Sequence, residues 1–156
     1  MGQHVDFAKR YPESYKKFKA TDYDKKKCQK REVAAHYDNA CLYNDFVVSQ
    51  LMNTFKDEDA IVIYFPDHGL DVYQTSPKYF GHAINHKKKS RKIGLQIPCF
   101  IYLSPLFKDR HKALTAQTRR SLDRKYCTAD MTFTLMHVAG YDFAQHPTDT
   151  LYSLIR

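Results

Sequence analysis

No apolar run in this chain of 156 residues approaches the ~20 residues needed to cross a bilayer, and no signal-peptide pattern opens it. Cysteine is sparse: Cys28, Cys41, Cys99 and Cys127 show neither CxxC spacing nor the density of a small disulfide scaffold, which argues against a zinc ribbon. Cys41 and Cys99 fall inside apolar patterns and are expected in the core. Cys28 lies in a basic, polar run where a buried role is harder to argue, and a disulfide from it stays open. Internal repeats are absent. The apolar stretches also lack the interleaved aromatic and basic residues of a nucleic-acid-binding sheet, so no nucleic acid is expected as a partner.

What is present is a globular composition, 43% hydrophobic and 14% aromatic, with a formal charge of +8 and a pI of about 9.3. Such a balance permits binding to phosphates, nucleic acid or an anionic membrane surface without choosing among them. The basic residues come in clumps, Lys25 to Lys27, Lys87 to Lys89 with Arg91 and Lys92, and Arg119 with Arg120. All lie outside the apolar runs and read as solvated loops.

The chain is organised around Ala60 to Gly69. Ala60-Ile61-Val62-Ile63-Tyr64-Phe65 reads as a strand buried on both faces, and it ends in Pro66-Asp67-His68-Gly69. Ligand crevices of open α/β sheets lie beyond the carboxyl ends of strands, so Asp67 and His68 stand where a metal or phosphate would be held. A carboxylate next to an imidazole suits zinc or a similar divalent ion, with Gly69 letting the backbone leave regular geometry. The tripeptide alone is equally consistent with a simple turn.

Before this strand, residues 1 to 27 offer few aliphatic positions and read as a long loop at the edge of a site. Val33, Tyr37, Cys41, Val48, Leu51, Met52 and Phe55 then recur at three- and four-residue spacing, predicting an amphipathic helix from about Lys30 to Phe55. Asp38, Asn39 and Asp45 interrupt the apolar pattern and read as solvent-facing. Leu70 to Lys92 has no period and reads as a mobile loop of active-site proportions. Ile97 to Ser104 predicts a second strand, stopped by Pro105. Arg110 to Arg124 reads as a surface helix, and a last helix follows Thr128 or Asp130, capped by Gly140.

Together these elements resemble a known family. Met1-Gly2-Gln3-His4, Arg10-Tyr11-Pro12, Tyr37-Asp38-Asn39-Ala40-Cys41-Leu42-Tyr43-Asn44-Asp45, Asp67-His68-Gly69, Gly81-His82 and the strand ending Tyr102-Leu103-Ser104 follow one another as in the C-terminal part of the catalytic domain of phosphoethanolamine transferases. Those enzymes belong to the sulfatase and alkaline phosphatase superfamily. The resemblance implies an α/β, partial sulfatase/alkaline-phosphatase-like fold, a mixed sheet flanked by helices, with residues 1–156 forming the C-terminal portion of a single catalytic domain. It implies that Asp67 and His68 ligate a catalytic zinc, and that His4 and His82 bind the transferred phosphoryl group or a second metal. The implied reaction moves phosphoethanolamine from a phospholipid to a threonine and then to a lipid A or sugar acceptor. A membrane anchor upstream would hold the catalytic domain in the bacterial periplasm, the fragment itself being expected to be soluble.

The chain departs from the family at two places. Many members read Asp-His-Gly-Glu, whereas Leu70 stands here, so that glutamate's role is absent or filled by Asp71. Nothing matches the nucleophile region either: Thr21, Thr54 and Thr75 sit in unrelated contexts, so no catalytic nucleophile is expected in this chain, which alone is expected to be inactive. A sulfatase, a phosphoglycerol transferase or a basic module for anionic lipid or nucleic acid remain the alternatives.

Overall fold

The computed structural model describes residues 6–82, 88–144 and 152–155. His4 and Lys87 therefore lie outside the described residues. The chain divides into two compact units, Met1–Thr54 with Ile63–Ile101, and Phe55–Val62 with Tyr102–Arg156.

In the first unit the expected helix forms as α1, Arg31–Thr54, because no glycine or proline breaks its three- and four-residue apolar spacing. The segment before it is more ordered than a loop. Three 3-10 turns, Phe7–Lys9, Glu13–Tyr15 and Ala20–Asp22, follow one another along α1. Their anchor is Asn39, which is 1% exposed and corrects the solvent-facing expectation. Its Oδ1 accepts from the backbone N–H groups of Lys17 and Phe18 at 2.7 and 2.8 Å, while its Nδ2 donates to the Phe18 carbonyl at 2.9 Å. A buried amide with its polar atoms satisfied replaces the ladder that this irregular segment lacks. Asp38 accepts a hydrogen bond from Tyr23, and Tyr11 shares one with His36 Nδ1 at 2.6 Å. Asp45 is exposed, as expected.

Two of the cysteines, Cys28 and Cys99, invert the reading from sequence, while Cys41 is half-buried. Cys28 is buried at 6% in a cluster with Ala34, Val72 and Tyr73, whereas Cys99 and Cys127 are exposed, and all four are free thiols. Cys28 lies where the basic run turns inward onto α1. Cys99 stands just before its strand, outside the paired residues.

The central strand is β1, Ile61–Tyr64, paired with β4, Phe100–Leu103. All four β1 residues are half-exposed, not buried on both faces, because only one neighbouring strand covers it among the described residues. The segment 70 to 92 is not a featureless loop. Asp71–Val72 (β2) and Phe80–Gly81 (β3) form an antiparallel hairpin, and the lysine run continues as α2, Lys88–Leu95. Asp71 is fully buried; its carboxylate accepts from the N–H of Gln74 at 2.9 Å and from the Thr75 hydroxyl. It stabilises its own turn.

In the second unit Ser104 ends β4 and caps α3, Pro105–Arg110, accepting from the Phe107 N–H at 3.0 Å and donating to the Glu58 carbonyl at 2.5 Å. The surface helix expected over Arg110 to Arg124 forms as the shorter α4, Lys112–Arg120, and α3, which was not expected, precedes it across His111. Helix α5, Met131–Val138, follows a 3-10 turn at Thr128–Asp130; Asp130 stands at its N-cap without a side-chain bond, and Gly140 takes the left-handed φ of 77° just past its end. Ser153 and Ile155 are fully buried, and the Arg124 guanidinium donates to the Leu154 carbonyl at 2.9 Å.

Candidate active site

Pro66 stops strand pairing after β1, and the next three residues turn. The His68 N–H donates to Asp67 Oδ1 at 2.9 Å, so the carboxylate folds back over its own backbone. His68 Nδ1 lies 3.0 Å from the Gly69 carbonyl. A carbonyl only accepts, so Nδ1 carries the proton, which leaves Nε2 as the nitrogen that a metal could take. That nitrogen is 3.7 Å from Asp67 Oδ2. Two ligands each about 2 Å from one tetrahedral ion would stand about 3.3 Å apart, so a few tenths of an ångström separate this pair from a shared ion.

Gly69 is required for a reason other than the one its sequence position suggests. It does not adopt the left-handed φ; a Cβ there would fall 2.0 Å from the Ile93 carbonyl oxygen of α2. The Gly69 N–H also donates to the Gly94 carbonyl at 2.8 Å. Helix α2 is thus bonded through its last turn to the Asp67-His68-Gly69 turn. Gly94 in turn faces the His82 backbone, at ordinary contact distance from where its Cβ would stand. The result is that the His82 ring stacks on His68, with centroids 4.0 Å apart and an interplanar angle of 23°.

Asp67 and His68 open onto a cleft of about 630 Å³ whose other wall is α1, through Tyr37, Cys41, Asn44 and Asp45. Asn44 donates to the Tyr64 hydroxyl at 2.8 Å, and Tyr64 stacks on Phe100 with centroids 5.0 Å apart. Burial, with a smaller contribution from Cys41, raises the Tyr37 phenol well above its usual pKa; burial and the bond to Asp38 do the same for Tyr23. Both stay neutral hydrogen-bonding groups through the physiological range. The sequence motif from Tyr37 to Asp45 therefore works mainly as scaffold: Asp38 and Asn39 tie down the opening segment and Asn44 holds the cleft wall. Sequence spacing had not separated these roles, because each partner lies more than ten residues away.

As a donor set, a carboxylate and a tautomer-fixed imidazole fit part of a zinc shell. Among the described residues no group of three or more His, Cys, Asp or Glu is arranged to hold a metal ion, so two donors of about four are accounted for.

The sulfatase family profile matches residues 1–141. Over 148 residues the chain is 32% identical to phosphoethanolamine transferase EptC of Escherichia coli, covering 92% of this chain and 25% of that protein. It is 25% identical to the Kdo(2)-lipid A phosphoethanolamine 7''-transferase of E. coli over 90% of this chain and 24% of that protein. It therefore spans about a quarter of the length of these curated relatives. The crystal structure of the C-terminal periplasmic domain of E. coli EptC superposes with a TM-score of 0.76 at 28% identity, covering 100% of this chain and 44% of that one. A zinc complex of the same domain gives 0.78 at 30% identity, covering 100% and 43%. The chain is thus homologous to the EptC periplasmic domain, and by the extent of the profile match it belongs to the sulfatase family.

Proposed function

We propose that this chain is the C-terminal part of one catalytic domain of a membrane-anchored, zinc-dependent phosphoethanolamine transferase, moving phosphoethanolamine from a phospholipid donor to a lipid A or sugar acceptor at the periplasmic face of the inner membrane. The observation that carries the reading is the Asp67–His68 pair, an oxygen and a tautomer-fixed nitrogen 3.7 Å apart at the mouth of a cleft, with His82 stacked behind it. The transferase names of the relatives and the 44% coverage of the EptC domain support it.

Asp67 and His68 would hold the zinc, which when bound supplies Lewis-acid stabilisation of charge on a transferring phosphoryl group. The chain's own contribution is orientation. The Gly69 carbonyl keeps the His68 proton on Nδ1, Asp67 is held over its turn by the His68 N–H, and His82 is fixed beside them as a donor toward phosphoryl oxygens. His4 would join this set from outside the described residues. A sulfatase or a phosphoglycerol transferase is the rival reading, and the choice among them rests on the transferase relatives.

Replacing the equivalent part of the E. coli EptC domain by residues 6–141 of this chain tests the reading directly. The folded chimera should transfer phosphoethanolamine, and Asp67→Ala or His68→Ala should each lower the rate at least about a hundredfold. A chimera that folds and releases sulfate from an aryl sulfate but transfers no phosphoethanolamine would overturn it in favour of the sulfatase alternative.

A further inference from the structure

We propose that the outward face of α2 is a membrane-surface contact, taking the phosphate headgroups of an anionic bilayer and holding the Asp67–His68 turn beside them. Helix α2 contains four cations, Lys88, Lys89, Arg91 and Lys92, and no acidic residue. All four are exposed, and none makes an ion pair among the described residues. They line one open groove together with Leu95, which is 63% exposed. The helix cannot turn this face inward. Ser90 and Gly94 are buried on the opposite side, and Gly94 is bonded to Gly69. Lysines at this density are usually only solvated. Here four cations that make no ion pair among the described residues share one groove with a large exposed aliphatic, the combination by which a peripheral helix meets anionic lipid: cations on phosphates, an apolar side chain in the interface. Helix α4 also lines a groove with Lys112, Arg119 and Arg120, but no exposed large aliphatic stands among the residues of that groove.

This inference rests on the surface and the Gly69–Gly94 bond and does not depend on the transferase reading. Sedimentation of the chain with mixed phosphatidylglycerol and phosphatidylcholine vesicles tests it. Binding should be strong at low salt, absent on pure phosphatidylcholine, and about 25-fold weaker in Lys88→Gln/Lys92→Gln, at roughly fivefold per cation lost. Leu95→Ser should weaken it about tenfold with a smaller change in salt dependence. Arg119→Gln/Arg120→Gln should leave it within about twofold. All these side chains are exposed, so circular dichroism should match the parent chain. Unchanged binding in the α2 variants, or an equal loss in the α4 variant, would overturn the assignment by marking the interaction as diffuse net charge. Equal affinity for a short DNA duplex, with Leu95→Ser neutral, would overturn it in favour of a nucleic-acid face.

Discussion

Asp67, His68 and Gly69 divide the work of the turn: one presents an oxygen, one a nitrogen, and one leaves room. The third role is the most sharply testable. At Gly69 an added methyl meets a backbone carbonyl at 2.0 Å, which no rotamer change relieves, whereas at Gly94 it meets the His82 carbonyl at 3.5 Å, an ordinary contact. Gly69→Ala should therefore cost about 1–3 kcal/mol and displace α2 from the turn. Gly94→Ala, inside a helix, should be neutral or stabilise by up to about 1 kcal/mol. Urea melts of the two variants give the comparison, and equal costs would mean that the Gly69–Ile93 contact is not what makes glycine necessary. Residue types made Asp67 and His68 visible in sequence, since a carboxylate and an imidazole after an apolar strand are few. Gly69 was visible too, but its reason was not, because the carbonyl it avoids is 24 residues further on. Asn39 was misread for the same kind of cause: its partners at Lys17 and Phe18 belong to a segment with no periodic pattern to announce that it packs.

Among the elements, α1 was legible because 24 residues of three- and four-residue spacing outweigh the few polar interruptions. The two-residue strands β2 and β3 are too short to show any alternation, and α2 hid within a lysine run because its inward face is made by Ser90 and Gly94, which carry no hydrophobic signal. The α3–α4 corner offers an electrostatic test. Asp59 accepts from Arg110 at 3.3 Å and lies 3.1 Å from His111 Nε2. Desolvation pushes its carboxyl up, but the hydrogen bonds from His111 and Arg110, with their charges, outweigh this and hold it below the usual carboxylate range. A carboxyl whose folded pKa is depressed contributes stability that is present in full above its unfolded pKa and is lost as pH falls through the folded value. Asp59→Asn should therefore lower the melting temperature at neutral pH, and the gap to the parent chain should close as the solution is acidified below the carboxylate range. A gap that stays constant with pH would assign the cost to packing instead of charge.

At the level of the whole molecule, the family and the broad α/β class were readable because the motifs follow one another in a fixed order along the chain. The sheet was not: β1 was expected to be buried on both faces and is half-exposed, since burial depends on neighbours that a strand's own residues do not specify. The same reasoning sets the expected behaviour toward zinc. With two donors accounted for among the described residues, the chain should take up one zinc ion more weakly than a site with about four protein ligands. A zinc titration at neutral pH, followed by calorimetry and by the NMR signals of the histidine rings, tests this account most directly. The account predicts one weakly held ion that shifts the His68 ring signals first and His82 next, leaves His111 unmoved, and is lost in both Asp67→Ala and His68→Ala. Zinc that leaves the His68 signals unchanged, or that binds equally well in Asp67→Ala, would contradict it.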